Sequence, residues 1–303
     1  MEKLIDKYNN YMIMAENFLE EEKFQKALGA FKKAYTYADD FDKINILFEM
    51  SDIYLIENDF ESAIDSYEKI IAMDEDQAGA YYGLATVNNM IKGDINYSIK
   101  NFKMAIEKDK DYDRAYYYLG HAYLEIDEYD KALSSFEKCL ELNEDDYVAL
   151  NDISFIYGSK KDFEKSLLYA NKSLEISSDY FRALYNLGVA YKGLGNNKDA
   201  LKAYIEAKNY SKFENIYLNM SAIYIEEKDF KLALAILNEG IEFNNNSVNL
   251  HYNRACVYAR LNDREKAIRD ISYANEINEN VFSWARNDSD LKDIIKEIEN
   301  IWL

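Results

Sequence analysis

DRAYYYLGHAYLEIDEYDKALSSFEKCLELNEDD, residues 113–146, reads as two short amphipathic helices separated by a polar break. Leu119 and Gly120 are followed three residues on by Tyr123, and residues three and four apart share one face of a helix. Glu125–Glu128 interrupt the pattern. Tyr129 then leads by three into Ala132, which is followed by Phe136 and Cys139 on one stripe. The segment closes on the polar run Asn143–Glu144–Asp145–Asp146.

The same phrase recurs outward in both directions at a period of about 34. Its second half returns as Ala27, Phe31 and Ala34; as Ala63 and Tyr67; and as Ser98, Phe102 and Ala105. Beyond residue 146 it returns as Ala200, Tyr204 and Ala207; as Ala233, Leu237 and Gly240; and as Ala267, Ile271 and Ala274, with Ser166 marking a weaker copy. Its first half returns as Met50–Ser51 before Tyr54, Leu84–Ala85 before Asn88, Leu187–Gly188 before Tyr191, Met220–Ser221 before Tyr224, and Ala255 before Tyr258. A fixed period of this length signals stacked two-helix units, each burying its apolar face against its neighbours. Antiparallel helices pack about 8–10 Å apart. A small residue on each helix, such as Gly120 facing Ala132, is expected to let the backbones approach while the aromatics fill the gaps.

Composition agrees. Of 303 residues, 49% are hydrophobic, 28 are Tyr, only 10 are Gly and none is Pro, which favours nearly unbroken helix over Pro-rich linkers. The net charge is −20, from 36 Lys and Arg against 56 Asp and Glu, which argues against nucleic acid as a partner. Cys139 and Cys256 make neither a disulfide framework nor a zinc set, and Cys139, in a small packing position, is expected to be a buried thiol. The N-terminal MEKLIDKYNNYM lacks the apolar run of a signal peptide, and no stretch approaches the roughly 18 apolar residues of a membrane span. A cytoplasmic protein is expected.

This pattern resembles the tetratricopeptide repeat (TPR) family, whose motif runs aromatic, Leu, small, aromatic, then small, aromatic, small, Pro. Eight copies are counted, at about 8–41, 44–77, 78–112, 113–146, 147–180, 181–213, 214–247 and 248–281. The closing Pro is missing from every copy. Polar runs such as Asp74–Glu75–Asp76, Ser177–Ser178–Asp179 and Asn244–Asn245–Asn246 stand there instead, able to supply turns and helix caps. The Trp of the first helix is replaced by Tyr81, Leu150 or His251. The third copy has an extra residue near Gly93–Asp94–Ile95, and two extra residues follow the first copy; small local irregularities are expected at both. Residues 282–303 lie outside the repeats. There Leu291, Ile294, Ile295, Ile298 and Ile301 or Trp302 form one apolar stripe, as a capping helix would. Residues 1–7 are expected to extend the first helix. The fold expected is an all-α, right-handed superhelical solenoid of about eight helix-turn-helix units, 1–281, with a C-terminal capping helix, 282–303.

In the family the first helices line a concave surface on which extended peptides lie. Carried over by register, that resemblance places Phe48, Tyr82, Tyr117, Tyr185 and Tyr252 in the groove. It also places Asn186, Asn219 and Asn253 at the position where several members hold a peptide backbone with an Asn ladder, an amide being both donor and acceptor. Asp152 interrupts the ladder in the fifth repeat. The same residues have a competing reading as packing rings and repeat-to-repeat bonds. Arg114 and Arg182 stand one turn from the row, with Lys192 and Arg260 near its other edge. The basic cluster that grips a C-terminal carboxylate in chaperone-binding members is not assembled here. Glu16, Glu49, Asp52 and Glu125 instead make the N-terminal half acidic. Arg254 and Asp270 are expected to form a buried structural ion pair.

Nothing in the sequence argues for catalysis. His121 and His251 are isolated, Asp109, Asp111 and Asp113 lack the Gly and Glu of a calcium loop, and no phosphate loop or nucleophile elbow occurs. No metal and no cofactor are expected. The function expected is a protein–protein interaction scaffold that binds an extended segment of a protein or peptide partner. The alternative is a peptide-sensing regulator controlling a bound effector; such regulators usually carry an N-terminal DNA-binding or bundle domain, and with repeats beginning by residue 8 none is expected here.

Overall fold

A computed structural model describes the backbone of residues 2–302 and the side chains of residues 5–298. Within it the chain forms eighteen α-helices and no strand, in two compact units, residues 1–149 and 150–303. The first unit contains α1 (Glu2–Glu20), α2 (Phe24–Tyr35), α3 (Asp40–Ile56), α4 (Phe60–Met73), α5 (Ala78–Met90), α6 (Ile95–Lys108), α7 (Asp113–Glu125) and α8 (Tyr129–Leu142). α9 (Tyr147–Ser159) runs across the boundary. The second unit continues with α10 (Phe163–Ile176), α11 (Phe181–Gly193), α12 (Asn197–Tyr210), α13 (Glu214–Glu226), α14 (Phe230–Phe243), α15 (Val248–Arg260), α16 (Arg264–Ile277), α17 (Val281–Ala285) and α18 (Lys292–Trp302).

Within each unit, consecutive helices pair, and each pair packs on the next. The core of the first unit joins the stripe residues Ala27, Phe31 and Ala63 to the aliphatic Ile46, Ile53, Ile70 and Val87, all at most 1% exposed. The small residues make room for rings. A Cβ on Gly120 would lie 2.7 Å from Cε1 of Phe136, so the α8 aromatic occupies the space that a side chain on α7 would need. This refines the sequence expectation: ring and backbone meet there.

The polar break inside each pair has one architecture. Glu22, Asn58, Lys92, Asp127, Lys161, Lys228 and Asn262 adopt φ of 52–61°, and Gly195, at the same register, 77°. The next residue returns its N–H to the carbonyl five residues back, as in Asp59 to Tyr54 (2.8 Å), Asp162 to Tyr157 (2.9 Å) and Asp229 to Tyr224 (2.8 Å). This satisfies carbonyls left open at the helix end. That same residue then caps the second helix. The side chains of Asp59, Asp162, Asn196, Asp229 and Asp263 accept from the N–H three residues on, at 3.0–3.3 Å.

Between pairs, the runs that replace the family Pro close on their own side chains. Oδ1 of Asp74, Asp109 and Asn278 each accepts the N–H two residues later, at 3.0–3.1 Å. The extra residue of the third copy is absorbed locally. Asn88 stands where other copies have Tyr, and its Nδ2 reaches Asp94 O (2.8 Å) and Ser98 Oγ (2.7 Å). A Cβ on Gly93 would fall 2.1 Å from Asn88 Oδ1, so the bridge requires glycine. The two residues added after the first copy lengthen α3, which Asp39 caps through the Asp42 N–H at 2.9 Å.

At the C-terminal end of the second unit, Leu291, Ile294, Ile295 and Ile298 join Ile271, Ala274, Val281 and Ala285 in one buried cluster. The side chains of Ile301 and Trp302 lie outside the described residues. No described helix is long and apolar enough to cross a membrane.

Candidate functional site

In the first unit the register-equivalent rings are half-buried and packed on other rings. Phe48 lies 6.2 Å from Tyr67; Tyr82 lies 5.1 Å from Tyr112 and 5.9 Å from both Phe102 and Tyr118; Tyr117 lies 4.7 Å from His121 and 5.7 Å from Phe136. The exposed Arg114 guanidinium stands 6.0 Å from the Tyr117 ring. Glu16, Glu49 and Asp52 are open to solvent. Even so, desolvation raises the Glu49 carboxyl, helped by the charges of Asp52 and Glu16, and raises that of Asp52. Cys139 is fully buried, its thiol pushed up to about 12 by burial.

In the second unit two of the three asparagines are tied into the scaffold. Asn186, 7% exposed, donates from Nδ2 to Asn151 Oδ1 at 2.9 Å. Asn219 donates to the hydroxyls of Tyr185 and Tyr204, both at 3.2 Å. The side chain of half-buried Asn253 makes no hydrogen bond among the described residues. Tyr252 donates to Asp288 Oδ2 at 2.9 Å, and Arg260 pairs with Asp290 at 2.7 Å. Exposed Arg182 stands 5.5 Å from the Phe181 ring, while Lys192 pairs with Glu226 across one repeat. Sequence reasoning missed Asn151. It lies one residue before Asp152, at the register of Tyr117 and Tyr185, and an amide in place of a ring there was the signal available.

Arg254 grips Asp270 with two parallel bonds, Nε to Oδ2 and Nη2 to Oδ1, both 2.7 Å. Its Nη1 reaches Asn238 Oδ1 at 2.7 Å. His251 extends the pair: Nδ1 lies 3.3 Å from Asp270 Oδ1 and Nε2 lies 3.0 Å from Asn245 O. Burial by itself would raise the Asp270 carboxyl. The bonds from Arg254 and His251 outweigh it and leave the group below the ordinary carboxylate value. The sequence placed His251 at a packing position but gave no sign of its bond to Asp270.

One described cluster has potential metal-ligand atoms: Cys256 Sγ with carboxylate oxygens of Asp288 and Asp290, all within 4.8 Å of one another. Tyr252 and Arg260 already engage the two carboxylates, and burial pushes the Cys256 thiol up, away from the thiolate a metal needs.

Models of the tetratricopeptide repeat match residues 44–77, 113–146, 181–212, 214–247 and 248–280. Together they cover more than half of the chain, which therefore belongs to the tetratricopeptide repeat family. No curated protein sequence matches it. Among solved structures it is similar to a tetratricopeptide repeat protein from Parabacteroides merdae ATCC 43184, with TM-score 0.64 and 17% identity over 84% of this chain and 98% of that one. It is also similar to MamA, with TM-score 0.51 and 26% identity over 55% of this chain and 91% of that one. YrrB, a TPR protein with an unusual peptide-binding site, aligns with TM-score 0.53 and 22% identity over 62% of this chain and 95% of that one. The copies at 8–41, 78–112 and 147–180 fall outside the matched segments, yet each is built from two helices, α1 with α2, α5 with α6 and α9 with α10.

Proposed function

We propose that this chain is a non-catalytic interaction scaffold that holds an extended segment of a partner protein along its first-helix rows. The observation that carries the reading is the shared state of five register-equivalent rings. Phe48, Tyr82, Tyr117, Tyr185 and Tyr252 are each half-buried, anchored on one side and open on the other. Rigid rings of this kind give contact area at low entropic cost. Arg114 and Arg182 support it: neither guanidinium has an ion-pair partner among the described residues, in a chain of net charge −20. In this reading Asn253 contacts the bound backbone. Asn186 and Asn219 contribute their Oδ1 acceptors, because their Nδ2 groups hold the scaffold. Residues 1–281 act as the array and 282–303 as its cap.

The test is selection of extended peptides on the full chain from a displayed library, followed by affinity measurement with Arg114→Ala, Arg182→Ala and Asn253→Ala. None of the three side chains is fully buried. A loss of tenfold or more in at least one variant supports the groove. Failure to select any peptide, or equal affinity for all three variants and the wild type, rejects it.

A further inference from the structure

A second kind of site lies away from the first-helix rows, and it occurs twice in the first unit. One cavity of about 420 Å³ is bounded by α2, α3 and α4, with Met50, Tyr54, Ser66 and Lys69 in its wall and Lys32 at its edge. A cavity of about 230 Å³ between α7 and α8 has Leu119, Tyr123, Ser135 and Lys138 in the same places, each 69 residues on. The correspondence extends to the preceding repeat. Lys32 stands 5.8 Å from the Tyr54 ring, and Lys103, at the equivalent place, 5.6 Å from the Tyr123 ring.

A small hydroxyl side chain lines each cavity. Ser66 and Ser135 each turn inward, donating to the carbonyls of Ser62 and Lys131, both at 2.9 Å. The first and sixth repeats also have a small residue at that register, Ala30 and Ala203, whereas others have something larger or charged. In the fifth repeat it is Tyr169, whose ring stacks on Tyr157 at 5.6 Å. In the third it is Asn101, and in the eighth it is Asp270, held by Arg254.

Chemically the two cavities are alike. The floors are apolar: Met50, Tyr54, Leu119 and Tyr123 are 6–8% exposed. Lysines stand at both mouths, with Asp65 beside them at the first. Lys69 pairs with Asp65 and Lys138 with Glu141 along their own helices, and Lys131, also at the second mouth, pairs with Glu128 at 3.2 Å. Lys32 and Lys103 have no ion-pair partner among the described residues. An apolar pocket under a lysine that lacks a partner suits an apolar side chain with a carboxylate beside it. Duplication two repeats apart within one unit suits an extended chain that presents this pair of groups twice.

We propose that the paired cavities at Tyr54 and Tyr123 form a bivalent docking surface for an acidic partner segment carrying two apolar anchors, each flanked by Asp or Glu. The proposal is independent of the first-helix reading, since it uses other residues and another face of the helix pairs. Bivalence is its signature, because a linked second anchor binds at high effective concentration and raises affinity without any new type of contact.

The probes are an acetylated, amidated Asp-Phe-Asp tripeptide, a peptide joining two such motifs through a flexible Gly-Ser spacer, and the same two-motif peptide with Lys in place of Asp. Binding to the full chain is read by calorimetry and by amide chemical shifts at low and moderate salt. The two-motif acidic peptide should bind at least tenfold more tightly than the tripeptide, lose affinity as salt rises, and shift amides at both cavities. Lys32→Gln with Lys69→Gln, or Lys103→Gln with Lys138→Gln, should each reduce it to the affinity of the tripeptide. Ser66→Leu and Ser135→Leu fill the cavities; should either disturb folding, the lysine variants, whose side chains lie at the surface, still decide. Equal binding of the acidic and basic peptides, no gain from the second motif, or affinity unchanged in both lysine pairs would overturn the proposal.

Discussion

Asn186 Nδ2 lies 2.9 Å from Asn151 Oδ1, joining two buried amides 35 residues apart, one on each first helix of adjacent repeats. A ladder position is therefore also a staple. Asn186→Ala leaves a buried acceptor on Asn151, 3% exposed, and should lower stability by about 1–3 kcal/mol. Asn151→Ala with Asn186→Ala should cost less than the two single changes added together. Chemical denaturation of all four proteins checks this, and strict additivity would show that the bond contributes nothing.

Removing one partner of the Arg254–Asp270 pair strands a buried charge. Arg254→Leu should cost about 3–5 kcal/mol, whereas Arg254→Leu with Asp270→Leu should recover much of the loss. The pH dependence has a definite sign. The folded Asp270 carboxyl lies below its unfolded value, so its contribution is complete above about pH 3.9 and is lost as pH falls further toward the folded value. Asp270→Asn should remove that acid-side dependence, visible in melting curves taken between about pH 2 and pH 6.

Glu49 and Asp52 have the opposite sign. Their folded carboxyls are raised, first by desolvation, so stability falls as pH rises through the window just above ordinary carboxylate values. Glu49→Gln with Asp52→Asn should raise the melting temperature at pH 7, and the gain should vanish at acid pH, where the native carboxyls are already protonated. A variant less stable than wild type at pH 7 would mean these charges are held by favourable contacts instead.

The left-handed turn residues give a paired test. Lys161, with φ 61°, carries a Cβ that this conformation disfavours, while Gly195 at the same register does not. The left-handed penalty is about 1–2 kcal/mol, partly offset by the greater freedom of glycine in the unfolded chain. Lys161→Gly should therefore gain up to about 1 kcal/mol and Gly195→Ala should lose about as much, measured by thermal melting.

The register of the helices was readable because it rests on a local rule. Small and aromatic residues three or four apart mark a buried stripe, and Ala132 with Phe136 is as plain in the sequence as in the core. The turn residues were readable as breaks, but their conformation was not, since Lys92, Lys161 and Lys228 carry no mark of a positive φ. The site was less legible for a different reason. Whether Asn219 reaches out to a partner or back to Tyr204 depends on a ring 15 residues away, and periodicity says nothing about where a hydroxyl ends up. The two cavities escaped notice because they lie between helices, and Ser66 and Ser135 look like ordinary small residues in the repeat pattern.

Asp162 closes α9 with its N–H and opens α10 with its carboxylate, and its counterparts do the same in other pairs. The corner of each hairpin is thus defined by a handful of consecutive residues, without help from distant parts of the chain. Contacts in such an array stay short in sequence, so no slow search for remote partners limits its formation. On the ribosome, each pair has its full instructions once its own residues have emerged, and it then offers a finished surface to the pair that follows. Assembly can keep pace with synthesis, in the order in which the chain is made.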